Sequence, residues 1–190
     1  MDTQTALLIA VMTVTLRHVL EEGLSTSQVA RALGDVRVDV RPPTQVDAAD
    51  ARSRLNLFLY RVAPFVQSSL AQNRAHFGVD LHYLLCVTGE QDYHTEALLG
   101  CAIEAMRQHT KLSAKKITDA LKAAALSGGD GALWQPATAH TNWVDADAKL
   151  SVTPVFLSLD ELARLWSALH LPMRPAIAYQ VSAGALRAPE

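Results

Sequence analysis

The chain has 190 residues, which is long enough for one domain with a substantial hydrophobic core. Hydrophobic residues make up 49% of the chain and charged residues 19%, the balance of an ordinary globular protein. The net charge of −2 argues against electrostatic attraction to nucleic acid or to an acidic membrane. We therefore expect no nucleic acid and no membrane among its partners.

The N-terminal apolar run, residues 6–14, resembles neither a targeting signal nor a membrane span. No basic region precedes it, Thr13 and Thr15 interrupt it, and it is too short to cross a bilayer. These features predict a cytoplasmic protein. The two cysteines, Cys86 and Cys101, occupy apolar-face positions and are expected to be reduced core residues.

Residues 2–22 have the apolar spacing of an amphipathic helix, and Gly23 is expected to end it. Its apolar stripe is wide, which suits a helix covered on two sides by its own sheet or by a neighbouring subunit. Residues 36–41 then alternate as a strand that ends at Pro42 and Pro43. A second strand is predicted over residues 55–62.

The strongest strand pattern covers residues 77–89, and we expect it to be the centre of the fold. One face is apolar throughout, whereas the other begins polar at Asp80 and becomes apolar at Leu84 and Cys86. This change predicts that the second face becomes covered as the strand proceeds.

Helical periodicity follows in residues 94–109, in residues 113–126 with Ser113 as cap, and in residues 158–170. The last of these has a capping box formed by Ser158 and Glu161. Strands are predicted over residues 150–157, where Pro154 indicates a sheet edge, and over residues 177–186. The sum is an α+β fold with a mixed, largely antiparallel sheet of about five strands flanked by helices.

Two segments lack periodicity and are interpreted as loops, residues 63–76 and residues 127–148. Connections of this length in a compact domain are usually functional or disordered. The second loop carries Trp134 and Trp143, which are either packed onto their own domain or available to a partner.

No residue pattern indicates catalysis. Asp80, His82 and His94 are the best metal-ligand candidates, but no histidine pair has the spacing of a zinc protease helix. The glycines of residues 128–131 lack the Lys-Ser/Thr of a phosphate-binding loop. Four arginines lie around one loop region but are too dispersed for a nucleic-acid footprint, namely Arg52, Arg54, Arg61 and Arg74. We therefore expect no enzyme activity, no cofactor and no metal.

Several segments together resemble the N-terminal domain of the tail-terminator, or cap, protein of extracellular contractile injection systems, which are phage-tail-like particles. In chain order they read VRVDVRPP, LNLFLYRV, VDLHYLLCVTG, HTEALLGCAIEAMRQHTKL and ELARLWSALHLPMRPAIAYQV. The most specific pieces are Asp80 to Leu84 followed by Leu98-Leu99-Gly100, and the ending with Leu165-Trp166, Arg174-Pro175 and Ala178-Tyr179.

The resemblance implies a structural protein with a phage tail-terminator-like fold, and a single such domain over residues 1–190. Six copies would form a ring at the end of the inner tube and sheath, where polymerisation stops. The implied partners are other copies of the chain, the inner tube protein and the sheath protein, in a particle that assembles in the cytoplasm and can be released. Both loops would then be interaction insertions, with candidate contacts at Phe65, Gln67, Gln72, Asn73, Arg74, Trp134 and Trp143.

Two alternatives stay open from the sequence. One is a tail-completion or connector protein elsewhere on the same particle. The other, from a different class, is a small-molecule or metal-binding domain that uses Asp80, His82 and His94.

Overall fold

A six-stranded sheet with helices on both faces forms the described part of the computed structural model, which covers residues 3–44, 52–69, 74–127, 131–138 and 150–186. The helices are α1 (Thr3–Thr26), α2 (Gln28–Ala32), α3 (His94–Gln108), α4 (Ala114–Leu126), α5 (Gly131–Thr138) and α6 (Leu159–Ala168). The strands are β1 (Arg37–Asp39), β2 (Arg54–Ser69), β3 (Arg74–Thr88), β4 (Lys111–Leu112), β5 (Leu150–Val155) and β6 (Ala176–Leu186).

The strand order is β1-β2-β3-β6-β5-β4, and only β1 and β2 run parallel. This confirms the predicted mixed, largely antiparallel sheet. The additional strand is β4, whose two residues are too few to give a periodic pattern. No helix in the described part of the chain combines the length and apolarity that crossing a membrane requires.

Strand β3 has one face in each of two hydrophobic clusters. Leu81, Tyr83 and Leu85 are fully buried in the larger cluster, which residues of α1, α3 and α4 complete. On the opposite face, Leu84 and Cys86 pack in the smaller cluster, which lies beneath α6. The predicted change from an uncovered to a covered face is thus confirmed, and α6 is the element that covers it.

A hydrogen bond between the half-buried Thr13 and the buried Tyr83 joins α1 to the centre of the sheet. The Tyr83 hydroxyl lies 2.8 Å from Thr13 Oγ1, so this phenol has a hydrogen-bond partner inside the larger cluster. Burial nonetheless raises the pKa of Tyr83 above its ordinary value. Thr13 also donates to the carbonyl of Ile9 at 2.9 Å. A threonine that interrupts the apolar run therefore serves a buried polar contact.

The predicted end of α1 at Gly23 is wrong, because the helix continues to Thr26. Gly23 lies against Ala105 of α3, and a Cβ atom at this position would overlap the Ala105 side chain. The glycine therefore allows two helices to approach closely. The wide apolar stripe of α1 is met by the sheet and by α3, α4 and α5 of the same chain.

The predicted helix caps are confirmed. The Ser113 hydroxyl accepts a hydrogen bond from the Lys116 amide at 3.2 Å at the start of α4. At α6, the Ser158 hydroxyl accepts from the Glu161 amide at 3.3 Å, and the Ser158 amide donates to the Glu161 carboxylate at 2.8 Å. These contacts satisfy amides that would otherwise lack intrahelical partners.

The edge position of Pro154 is also confirmed. Strand β4 pairs only with Leu150 and Ser151, and no described strand pairs with the outer side of β5 beyond that point. Both cysteines are free thiols, with Cys86 buried and Cys101 half-buried, as expected for core residues.

Candidate assembly interface

The segment predicted as a loop at residues 63–76 is mostly a β-hairpin, so that prediction is wrong. Strands β2 and β3 pair continuously from Arg54 opposite Thr88 to Ser69 opposite Arg74. Three of the predicted contact residues therefore lie within strands: Phe65 opposite Gly78, Gln67 opposite His76, and Arg74 opposite Ser69. The other two, Gln72 and Asn73, lie outside the described residues.

The sequence of this hairpin lacks the alternation that predicts a strand. Within the described residues, β6 pairs with β3 as far as Phe77, which lies opposite Leu186. Residues 67–69 and 74–76, which we call the hairpin tip, pair with each other beyond that point. Gln67, Ser68 and Ser69 are polar in succession, whereas a strand with one buried face alternates apolar and polar residues.

A bulge at Tyr60 marks the change from the sheet to the hairpin. Pairing shifts from Leu59 opposite Tyr83 to Arg61 opposite His82, which leaves Tyr60 as the additional residue on β2. The Tyr60 ring lies 6.0 Å from the His82 ring, centroid to centroid. Bulges bend a strand and increase its twist, so the bulge at Tyr60 sets the direction in which the hairpin extends from the sheet.

The outer side of β2 is open along most of its length. Strand β1 pairs only with Arg54, Leu55 and Asn56, and no other described strand pairs with this side. We call residues 57–69 the open β2 edge. It includes the exposed Val62 and Pro64. Because unpaired N–H and C=O groups on a strand form a template for another strand, this edge can accept a partner.

The three candidate metal ligands are held by different neighbours. Asp80 accepts a hydrogen bond from the Ser182 hydroxyl at 2.6 Å, and His94 Nδ1 lies 3.4 Å from the Ser53 hydroxyl. Burial, followed by the charge of Arg61, lowers the pKa of His82. Among the residues that the structure describes, no three His, Cys, Asp or Glu side chains gather as a metal site would require. The metal-binding alternative therefore gains no support from the described geometry.

The second predicted loop, residues 127–148, contains the short helix α5, so that interpretation is corrected for residues 131–138. Trp134 of α5 is half-buried and packs against the larger hydrophobic cluster, and Ala137 is fully buried. For Trp134, this contact favours the first of the two alternatives, in which the tryptophan packs onto its own domain. Trp143 lies outside the described residues.

A protein-family model described as the Pvc16 N-terminal domain matches residues 12–190 of the chain. No curated protein matches it. Among solved structures, the chain is similar to the sheath/tube terminator of an extracellular contractile injection system (PVC) in its extended state. That match has 15% identity and a TM-score of 0.46, and it covers 90% of this chain and 56% of the other.

A second similar structure is the tube-terminating cap of the anti-feeding prophage (AFP), with 14% identity and a TM-score of 0.44. That match covers 80% of this chain and 50% of the other. The chain therefore spans about half the length of the solved structures that it matches.

Proposed function

Because the chain belongs to the Pvc16 N-terminal domain family, we propose that it is a structural subunit that ends the inner tube and sheath of a contractile injection system. The observation that carries this proposal is the family match over residues 12–190, nearly the whole chain. We propose that residues 1–190 form one tail-terminator-like domain. The particle that contains it would assemble in the cytoplasm and then be released.

We further propose that several copies form a ring, with six as the number that the family resemblance implies. A closed ring needs two different complementary surfaces on each subunit. The described sheet offers an open edge on each side, the open β2 edge and the outer side of β5 around Pro154. Beside the β5 edge, Phe156 and Leu159 are 89% and 68% exposed. Edge-to-edge contact between these two sides would join subunits head to tail.

The setting of the Cys86 thiol fits a structural role. Burial raises the pKa of the Cys86 thiol to about 11, so this cysteine stays protonated at neutral pH and is a poor nucleophile. Cys101 Sγ lies 3.5 Å from the Ser27 hydroxyl, where α3 meets the start of α2.

We propose that the hairpin tip and the adjoining residues 70–73 contact the inner tube, the sheath or the neighbouring subunit. Phe65, Gln67, Gln72, Asn73 and Arg74 belong to this region or border it. A two-stranded ribbon with polar residues suits insertion between partners because its backbone can extend their sheets. We assign Trp134 mainly to the core of its own domain and retain Trp143 as a candidate contact.

The test of the tube-ending role is polymerisation of purified inner tube protein in the presence of substoichiometric amounts of this chain. We expect shorter tubes with a narrower length distribution, because an ended tube cannot add further subunits. An unchanged length distribution would overturn the proposal.

A matched variant replaces residues 67–76 by Asn-Gly, a two-residue turn that closes the hairpin at the Val66 and Phe77 pair. The described pairs between β3 and β6 are all retained, so we expect a folded protein that no longer limits tube length. If this variant still limits tube length, the hairpin tip is not the contact.

A further inference from the structure

A cavity of about 190 Å³ lies where β1, the start of β2 and the end of β3 meet the segment that precedes β6. Four arginines from three segments of the chain line it: Arg37 and Arg41, Arg54, and Arg174. We call it the arginine cavity. Arg54 and Arg174 are half-buried, whereas Arg37 and Arg41 are exposed at the rim. The fold brings these segments together, so no local sequence pattern predicts the cluster.

The wall of the arginine cavity is held in place by side chains that line it. Asn56 Nδ2 donates to the carbonyl of Arg41 at 2.7 Å, and Arg174 Nη2 donates to the carbonyl of Thr44 at 3.0 Å. Between these two anchors, Pro42 and Pro43 restrict the backbone. The Arg174 guanidinium also lies 6.0 Å from the centre of the Trp166 ring. The cavity is therefore preorganised rather than formed by free side chains.

Two of the four arginines, Arg41 and Arg174, carry charges that no carboxylate of the described residues pairs with. Asp39 is the one carboxylate in the described lining of the cavity, and it is bonded to Arg37 at 2.8 Å. Positive charges held together in a partly buried site favour an anionic ligand.

We propose that the arginine cavity binds a carboxylate of an acidic segment of a partner protein. Guanidinium groups bind the oxygens of carboxylates and of phosphates in a bidentate arrangement. Phosphate sites commonly add backbone N–H groups at helix N-termini or turns. Pro42 and Pro43 in this wall have no N–H group.

The size of the cavity supports the same assignment. Ligand pockets for whole small molecules usually measure roughly 300–1,000 Å³, and this cavity is smaller. It can hold the end of an acidic side chain while the rest of the segment lies outside. This inference does not depend on the proposed role at the tube end.

The test is calorimetric titration of the whole chain with a short, end-capped peptide of alternating Glu and Gly. We expect binding of this peptide and none of the matched Gln-Gly peptide. The double variant Arg41→Gln with Arg174→Gln should lose about tenfold or more in affinity, because charge-assisted hydrogen bonds are the strong ones. The control, Arg31→Gln with Arg164→Gln, makes the same charge change at exposed positions outside the cavity and should stay within about twofold.

A second variant, Arg41→Lys with Arg174→Lys, preserves the charge and guards against a folding defect in the glutamine variant. It should still lose several-fold in affinity, because lysine cannot form the bidentate fork. Wild-type affinity for the lysine variant would overturn the bidentate assignment. An equal loss in the Arg31 and Arg164 control would overturn the cavity as the site.

Two further outcomes would overturn the partner assignment. One is binding of inorganic phosphate as tight as that of the Glu-Gly peptide, which would indicate a site for free anions. The other concerns Asp47 and Asp50, which belong to residues 45–51 outside the described part of the chain. If Asp47→Asn with Asp50→Asn tightened peptide binding more than about fivefold, the chain's own carboxylates would be the natural ligands of these arginines.

Discussion

Two glycines in different helices have opposite surroundings and therefore opposite predicted responses to alanine. A Cβ atom at Gly23 of α1 would overlap the side chain of Ala105, whereas one at Gly100 of α3 would meet nothing within 4 Å. We predict that Gly23→Ala destabilises the protein by about 1–3 kcal/mol because the helices must separate. Gly100→Ala should instead stabilise it by about 0.5–1 kcal/mol.

Denaturant unfolding followed by circular dichroism measures both free energies of unfolding. A second change, Ala105→Gly, should restore much of the stability that Gly23→Ala removes, since it eliminates the overlapping methyl group. Equal responses at Gly23 and Gly100 would contradict the close helix approach.

His82 gives the fold a dependence on pH whose sign follows from its surroundings. Burial and the charge of Arg61 lower the pKa of His82, whereas the charge of Asp80 opposes this. In the unfolded chain the imidazole has its ordinary pKa of about 6.5 and binds protons more readily. The stability that neutral His82 contributes is therefore fully present above the pKa of the unfolded chain. It is lost as the pH falls from that value toward the lower pKa of His82 in the folded protein.

We predict that His82→Asn loses less stability than the wild type between about pH 7.5 and pH 5.5. Unfolding midpoints in urea at the two pH values measure the difference. The opposite result, a steeper loss in His82→Asn, would show that the fold favours the charged imidazole.

At the scale of elements, Trp166 is the most deeply buried contact of α6 with the sheet, and Leu162, Leu165 and Leu169 pack around it. Trp166 is 1% exposed and lies at the centre of the smaller hydrophobic cluster, with Leu84 and Cys86 beneath it. We predict that Trp166→Ala reduces the free energy of unfolding by about 3–5 kcal/mol. Trp166→Phe should cost markedly less, because it retains an aromatic ring and removes an indole N–H that is buried with no hydrogen-bond partner among the described residues.

Thermal unfolding of both variants separates the contribution of ring packing from that of the indole N–H group. A cost for Trp166→Phe equal to that of Trp166→Ala would mean that the indole N–H has a partner that contributes to stability.

Elements with a buried face or a local cap could be predicted from the sequence. Strand β3 has one apolar face throughout its central part, and Ser158 with Glu161 forms a cap within four adjacent positions. Neither signal needs long-range information. The hairpin tip contains the polar run Gln67-Ser68-Ser69, and α5 is short and surrounded by polar sequence, so periodicity could not identify them.

Gly23 illustrates a different limit of the sequence. A glycine after an apolar run is compatible with the end of a helix and with a close helix crossing. The choice depends on Ala105, which is 82 positions away along the chain and adjacent only in the folded protein.

At the scale of the whole molecule, the arginine cavity could not be predicted for the same reason. Arg54 was visible in the sequence as one of several dispersed arginines. Arg37, Arg41 and Arg174 join it only because β1 pairs with β2 and the segment before β6 lies beside them. The open β2 edge likewise depends on strand order, which no local pattern determines.

Ring formation predicts that exposed apolar residues beside the β5 edge contribute to association without contributing to folding. Phe156 is 89% exposed and Leu126, at the end of α4, is 86% exposed. We predict that Phe156→Ser reduces the mass measured by light scattering at a given concentration, whereas Leu126→Ser does not. At concentrations where the wild type is monomeric, both variants should retain its unfolding midpoint, because neither side chain is buried in the subunit.

An equal effect of the two substitutions on mass would contradict the assignment of the β5 side as a subunit contact. A lowered unfolding midpoint for Phe156→Ser at concentrations where both proteins are monomeric would instead indicate a role within the subunit.

The most direct test of the central claim is electron microscopy of preassembled inner tubes incubated with this chain. The account predicts ring-shaped density at tube ends and none along the tube walls, and ends so occupied should not elongate when more tube protein is added. Binding distributed along the walls, or bare ends at saturating concentrations of the chain, would contradict it.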